Sequence, residues 1–131
     1  ARPGRAVRRA VAEAGGELAA SPPDLPGLLA RATVSVAPMR AGSGVPVKVL
    51  EAWAAGVPVV ASPWAAAGAG AEGGESLLVA ETPEEWAEAV GSLLDDPALG
   101  ARLAAAGRER VAAEHSPERV AAAWRRVLAA L

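Results

Sequence analysis

At 131 residues the chain can enclose one hydrophobic core and is too short for two ordinary domains. Its 13 basic and 15 acidic residues are scattered along it for a net charge of −2, so no basic block collects phosphates and nucleic acid is not an expected partner. With no cysteine and one histidine, disulfides, thiolate metal sites and histidine clusters are excluded, and a cytoplasmic setting fits.

Apolar residues reach 52%, much of it alanine, and charged residues interrupt every window long enough to cross a bilayer, so neither a membrane span nor a signal peptide is expected. The chain opens on Ala1 and its only methionine is Met39, which points to a processed product or a fragment. Pro3 to Ala14 reads as a helix, with Val7 and Val11 on one face and Gly15-Gly16 ending it. Glu17 to Ala20 reads as a short strand. Ser21-Pro22-Pro23-Asp24 reads as a loop, because two successive prolines exclude a helix or sheet interior. Asp24 is placed to cap a helix over Leu25 to Ala32. Thr33 to Ala37 is an apolar run without alternation, which suits a strand covered on both faces of a parallel sheet.

Gly42-Ser43-Gly44 then makes a turn and Pro46 opens a helix that runs to Ala55. Proline is tolerated in a first helical turn, and Gly56 can take the left-handed conformation that closes the helix. Val57 to Ala61 is a second continuous apolar strand, ended by Ser62-Pro63. Trp64 to Gly74, rich in alanine and glycine, reads as a loop, and Leu77 to Ala80 as a last strand. Thr82-Pro83-Glu84-Glu85 contains a capping box for a helix that carries Trp86, Val90, Leu93 and Leu94 inward. Asp96-Pro97 breaks it. A helix from about Ala98 to Glu114 follows, and Ser116-Pro117 starts a final helix with Val120, Trp124, Val127 and Leu128 on one stripe. Helices and strands alternate with short connections over 1–80, the α/β signature, and 81–131 is helical.

Conventional catalytic sets are missing. His115 stands at a helix junction, where a surface or interhelical role is expected, and no hydrolase triad, Walker loop or Gly-x-Gly-x-x-Gly turn is present. What remains is the Gly42-Ser43-Gly44 turn feeding a helix N-terminus, where unpaired N–H groups and the helix dipole favour phosphate. Lys48 lies one turn inside that helix and Glu51 three residues further on the same face. A carboxylate there is suited to two ribose hydroxyls. It equally suits an i, i+3 surface pair with Lys48, worth ~0.2–0.5 kcal/mol. On spacing alone both readings stand. Among the tryptophans, Trp53, Trp86 and Trp124 fall at apolar helix positions and are expected in core or interdomain packing, while Trp64 stays open as a sugar-stacking residue.

Several ordered pieces together resemble the nucleotide-sugar-binding C-terminal domain of GT-B glycosyltransferases, of the type called family 4 or group 1. They are the D-L-x-x-L-L-A-R-A helix from Asp24, Val34 to Pro38 as V-x-V-A-P, Gly42-Ser43-Gly44, Lys48-Val49-Leu50-Glu51-Ala52, Ala55-Gly56-Val57-Pro58-Val59-Val60-Ala61 and Leu77-Leu78-Val79. Ala1-Arg2-Pro3 resembles the end of a V-G-A-R-P strand. The resemblance covers nearly the whole chain and implies a Rossmann-like doubly wound parallel sheet, incomplete here, with three C-terminal helices. It also implies that the acceptor-binding domain and the first two strands of this one lie upstream. By position, Glu51 matches the second glutamate of the family's E-x7-E motif, which typically holds the ribose. Ser43 stands where the first glutamate, which usually contacts the donor sugar, is expected.

The nucleotide-sugar-binding residues implied are therefore Gly42, Ser43, Gly44, Val49, Leu50 and Glu51, with Arg40, Lys48 and Pro22 as further candidates and no metal ligand or catalytic residue assigned. The leading expectation is the donor-binding part of a retaining glycosyltransferase. It would use a nucleoside diphosphate sugar as donor, need no cofactor, and act in the cytoplasm or at a membrane periphery. A non-catalytic α/β binding or interaction module and another GT-B enzyme, such as a sugar-nucleotide epimerase, are the alternatives. A sheet that lacks its first strands would leave the isolated piece marginal in stability.

Overall fold

The computed structural model describes residues 3–42 and 44–131. Three short parallel strands, β1 (Ser35–Ala37), β2 (Val59–Ala61) and β3 (Leu78–Val79), form a sheet in the order β1-β2-β3. Ser35 pairs with Val59 and Ala37 with Ala61, and Val60 pairs with Leu78, so β2 is central. All three β2 residues are buried, as a strand covered on both faces requires.

Side chains alternate along β2 and divide the core in two. Val59 and Ala61 pack with Val49, Ala52 and Trp53 of α3 (Val47–Ala54) and with Ala65 and Ala66 of α4 (Pro63–Gly68). Val60 points the other way, onto Leu93 of α5 (Pro83–Asp95) and Leu103 of α6 (Pro97–Glu114). Helix α6 serves both sides. Its Leu99 and Leu103 belong to the second cluster, whereas Val111 packs against the first, and Gly107 comes close enough to Trp53 that a Cβ there would lie 2.2 Å from the indole Cδ1. Gly100 lies by Pro58, just before β2, so α6 crosses at the N-terminal ends of the strands and leaves their C-terminal ends uncovered.

Three helices end alike. After α1 (Arg5–Glu13), α3 and α4, a glycine with φ between +65° and +74° donates back into the last turn, and the next N–H reaches the carbonyl five residues earlier. For α3 these are Gly56 N–H to Trp53 O and Val57 N–H to Ala52 O, the stop that Gly56 predicted. Helix α5 opens with the complete capping box of Thr82 and Glu85. The remaining helices, α2 (Leu25–Leu29) and α7 (Pro117–Ala129), start at Asp24 and Ser116 caps.

Four expectations need correction. Residues 17–20 form no strand: they are exposed and pair with no neighbour, and without a neighbouring strand their backbone groups turn to water rather than to a ladder. Trp64 to Gly74 is not all loop, because α4 occupies its first part, started by the Ser62 cap with Pro63 after it and stopped by Gly70. Leu94 is 56% exposed rather than turned inward, the sheet-facing stripe of α5 being Trp86, Ala89, Val90 and Leu93. Of the two expectations for Trp124 only the core one fails: it is 62% exposed and packs in neither cluster, as the whole Val120, Trp124, Val127 and Leu128 stripe of α7 faces outward.

Candidate functional site

In a parallel sheet flanked by helices, ligands bind beyond the carboxyl ends of the strands. Here those ends carry three adjacent segments: Pro38, Met39 and Arg40 after β1, Ser62, Pro63 and Trp64 after β2, and Ala80 and Glu81 after β3. Together with Trp86 they line a cleft of about 520 Å³. Ser62 ties two of the segments together. Its hydroxyl donates to the Met39 carbonyl and accepts from the Ala65 N–H at 3.2 Å, so one buried side chain caps α4 and fixes the start of the β1–α3 connection.

That connection leads to the N-terminus of α3. Five helices have a side chain accepting from an N–H of their first turn, namely α2, α4, α5, α6 and α7. Helices α1 and α3 do not: their N-caps are Gly4 and Pro46, which have no side-chain acceptor to offer, and of the two only α3 starts beyond the carboxyl end of a strand. Gly42 has φ +154° and Gly44 φ +87°, backbone conformations that side chains disfavour, and nothing lies within 4 Å of where a Cβ on Gly44 would stand. Gly42 and Gly44 thus offer bare backbone ahead of a helix N-terminus without a side-chain cap, a setting that favours an anion. Ser43 lies outside the described residues.

The predicted site residues fall into separate depressions rather than one pocket. Arg40 lines the strand-end cleft. Gly42 and Gly44 line a second depression of about 350 Å³ with Val45, Trp64, Ala67 and Gly68. Glu51 lines a third, of about 360 Å³, with Leu25, Pro26 and Leu29 of α2 and with Ala54 and Ala55. Trp64 is common to the first two. Lys48 and Glu51 are both exposed, and among the described residues no ion pair joins them. Pro22 is half-buried in the loop before α2 and lines none of these depressions.

Val49 and Leu50 stand differently from the rest. The Val49 side chain is fully buried in the first core cluster and its N–H is taken by the Pro46 carbonyl at 2.9 Å, so it offers a ligand neither surface nor donor. Leu50 is partly buried against the same cluster. Both help to seat α3 on the sheet, which sets where its N-terminus and Glu51 stand.

Sequence reasoning missed the strand-end lining by Met39, Ser62, Glu81 and Trp86. The signal was present in the Ser62-Pro63 cap, which fixes where the chain turns after β2. His115 ends α6, half-buried, its N–H donating to Val111 O, with only the adjacent Glu114 as a charged partner. Among the described residues no three His, Asp or Glu side chains gather as a metal site, and no helix is long and apolar enough to cross a membrane.

Residues 5–126 match the model of a family described as glycosyl transferase-like. Among solved structures the chain is similar to the C-terminal domain of a glycosyl transferase group 1 family protein, LpcC, from Francisella tularensis. The match has 20% identity and a TM-score of 0.68 over 86% of this chain and 62% of that one. It is similar to Anabaena HepE, whose structure holds UDP-glucose, at 18% identity and TM-score 0.80 over 97% of this chain and 36% of that one. A sucrose-phosphate synthase from Thermosynechococcus elongatus matches at 26% identity and TM-score 0.74, over 97% and 35%. The chain therefore spans about a third of the length of the last two. Comparison with curated proteins yields no significant match.

Proposed function

Because the chain belongs to the glycosyl transferase-like family and has the Rossmann-like fold of a GT-B C-terminal domain, we propose that it is the donor-binding part of a retaining glycosyltransferase. The single observation that supports this most is the uncapped α3 N-terminus behind Gly42 and Gly44, beyond the carboxyl end of β1. In this reading the donor is a nucleoside diphosphate sugar, as in the HepE structure with UDP-glucose. Its ribose hydroxyls donate to the Glu51 carboxylate, and its diphosphate lies on the turn, with Arg40 and Lys48 at hand for charge.

The chemistry then asks little of covalent groups in this domain. The bond from the anomeric carbon to the β-phosphate oxygen breaks, the acceptor hydroxyl oxygen takes that carbon with retained configuration, and the hydroxyl proton ends on the departing diphosphate. The leaving charge grows where backbone N–H groups and the helix dipole already point, so the barrier falls by fixed electrostatics and by positioning, with no metal or cofactor invoked. The acceptor is held elsewhere in the full-length protein, and this chain alone transfers nothing.

Calorimetric titration of the full-length protein with UDP, GDP and their sugar conjugates tests the reading. Two hydrogen bonds to a carboxylate are at stake, so Glu51→Ala is expected to weaken nucleoside diphosphate binding by at least about tenfold. Unchanged binding in Glu51→Ala would favour a non-catalytic α/β module instead.

A further inference from the structure

The fold accounts for three tryptophans by packing or by a helix face, but it gives no packing reason for Trp64. Helix α4 buries Ala65 and Ala66 and turns Trp64 outward, 52% exposed, between the strand-end cleft and the glycine-turn depression. The ring is nonetheless held in register with the turn. A Cβ on Gly42 would stand 3.7 Å from Trp64 Nε1 and 3.4 Å from Met39 Cε, and the Ser62 hydroxyl binds the Met39 carbonyl while capping the helix that carries Trp64. An exposed indole beside bare backbone, on a helix stapled to the same loop, is a fixed wall of the cleft.

The direction of the site says what this wall meets. Glu51 lies in a separate depression against α2, whereas the glycine-turn depression and the strand-end cleft with Arg40 and Glu81 meet at Trp64. A donor with its ribose on Glu51 and its diphosphate on the turn then has the cleft that borders the turn at Trp64 open to its sugar. We propose that Trp64 is a specificity-determining residue that stacks its indole face on the apolar C–H face of the donor's pyranose ring, while Arg40 and Glu81 face the ring hydroxyls. An indole offers a broad, rigid apolar face, and a sugar offers one such face with polar groups at its rim. This inference rests on the donor-binding reading above.

Binding of UDP against UDP-glucose, and of GDP against GDP-mannose, to the full-length protein separates the two layers. Trp64→Ala is expected to weaken the sugar nucleotide by about tenfold and leave the matching nucleoside diphosphate within about twofold, while Trp64→Phe retains most of the sugar increment. Because the side chain is half in solvent, the thermal midpoint of Trp64→Ala should stay near that of the parent protein and exclude misfolding as the cause. Equal weakening of diphosphate and sugar nucleotide, or no change in either, would overturn the stacking role while the donor-binding reading stands. Failure of the parent protein to bind any of the four would overturn that reading and this inference with it.

Discussion

The same substitution should act with opposite sign at two helical glycines, Gly107 of α6 and Gly91 of α5. In each, alanine gains about 0.5–1 kcal/mol of intrinsic helix preference over glycine. At Gly91 a Cβ meets nothing within 4 Å, so that gain is the whole expected effect. At Gly107 the Cβ would lie 2.2 Å from Trp53 Cδ1 and 2.5 Å from both Cγ and Nε1, more than an ångström short of ordinary contact with the Cδ1. The ring cannot swing away cheaply, because Trp53 is fully buried and its Nε1–H donates to the Ser76 carbonyl at 2.9 Å. Overpacking costs about 1–3 kcal/mol and a buried carbonyl left without its donor about 1–3 more, against about 1 gained from helix preference. Gly107→Ala should therefore lose about 3 kcal/mol. In urea unfolding followed by tryptophan fluorescence, its midpoint should fall by about 1–2 M while that of Gly91→Ala rises by a few tenths. Trp53 stands two residues from Glu51 on α3, so the tilt forced by Gly107→Ala should also weaken nucleotide binding. A midpoint raised by Gly107→Ala would refute the claim that α3 is seated by close contact with α6.

Ser62→Ala should cost about 2 kcal/mol in the same unfolding experiment, more than the ~1 typical of a lost cap, because it also strips the Met39 carbonyl of its donor. Thr82→Ala, where the cap is exposed, serves as the comparison and should stay near the typical value. Glu85 sets a pH dependence. The N–H groups of Glu81 and Thr82 donate to its carboxylate and hold it below the ordinary glutamate value of 4.5. The unfolded chain thus takes the proton first as pH falls, so the capping box stabilises fully above the ordinary value and loses its effect as pH drops through the lower, folded one. The stability difference between the parent protein and Glu85→Gln, followed by thermal melts from neutral pH to pH 3.5, should shrink over the acidic end of that range. A constant difference would show that the carboxylate bonds contribute nothing.

The helices with chemical punctuation were legible. Asp24, Thr82 and Ser116 cap where a side-chain acceptor precedes a helix, and Gly15 and Gly56 stop helices by geometry open to glycine, while Asp96, read only as a break, also caps α6. The stretch after β2 carried the same marks, Ser62-Pro63 at one end and Gly70 at the other, and the alanine and glycine content between them obscured a six-residue helix. The stretch over 17–20 misled for the opposite reason. Strand propensity is a property of a pairing surface, and those residues have no partner in the sheet. The outward turn of Leu94 was hidden because a helical stripe shows which residues share a face and not which of two faces the sheet will cover.

The candidate site was legible where it depends on backbone and illegible where it depends on assembly. Glycine at 42 and 44 and proline at 46 speak of an unprotected helix start whatever surrounds them, because their effect is local. The cleft is different: it exists because β1, β2 and β3 run parallel and in order, which brings residues 38–40, 62–64 and 80–81 to one edge, a juxtaposition no local pattern encodes. Helix α6 passing the opposite end of the strands keeps that edge free. The capping pattern reinforces the division of labour. Where a side chain completes a helix start, as at Ser62 and Thr82, the terminus is already satisfied and its work is structural. At α3 the cap position is given to proline, so Val47 and Lys48 at its start have no side-chain cap, beside the depression that Trp64 shares with Gly42 and Gly44.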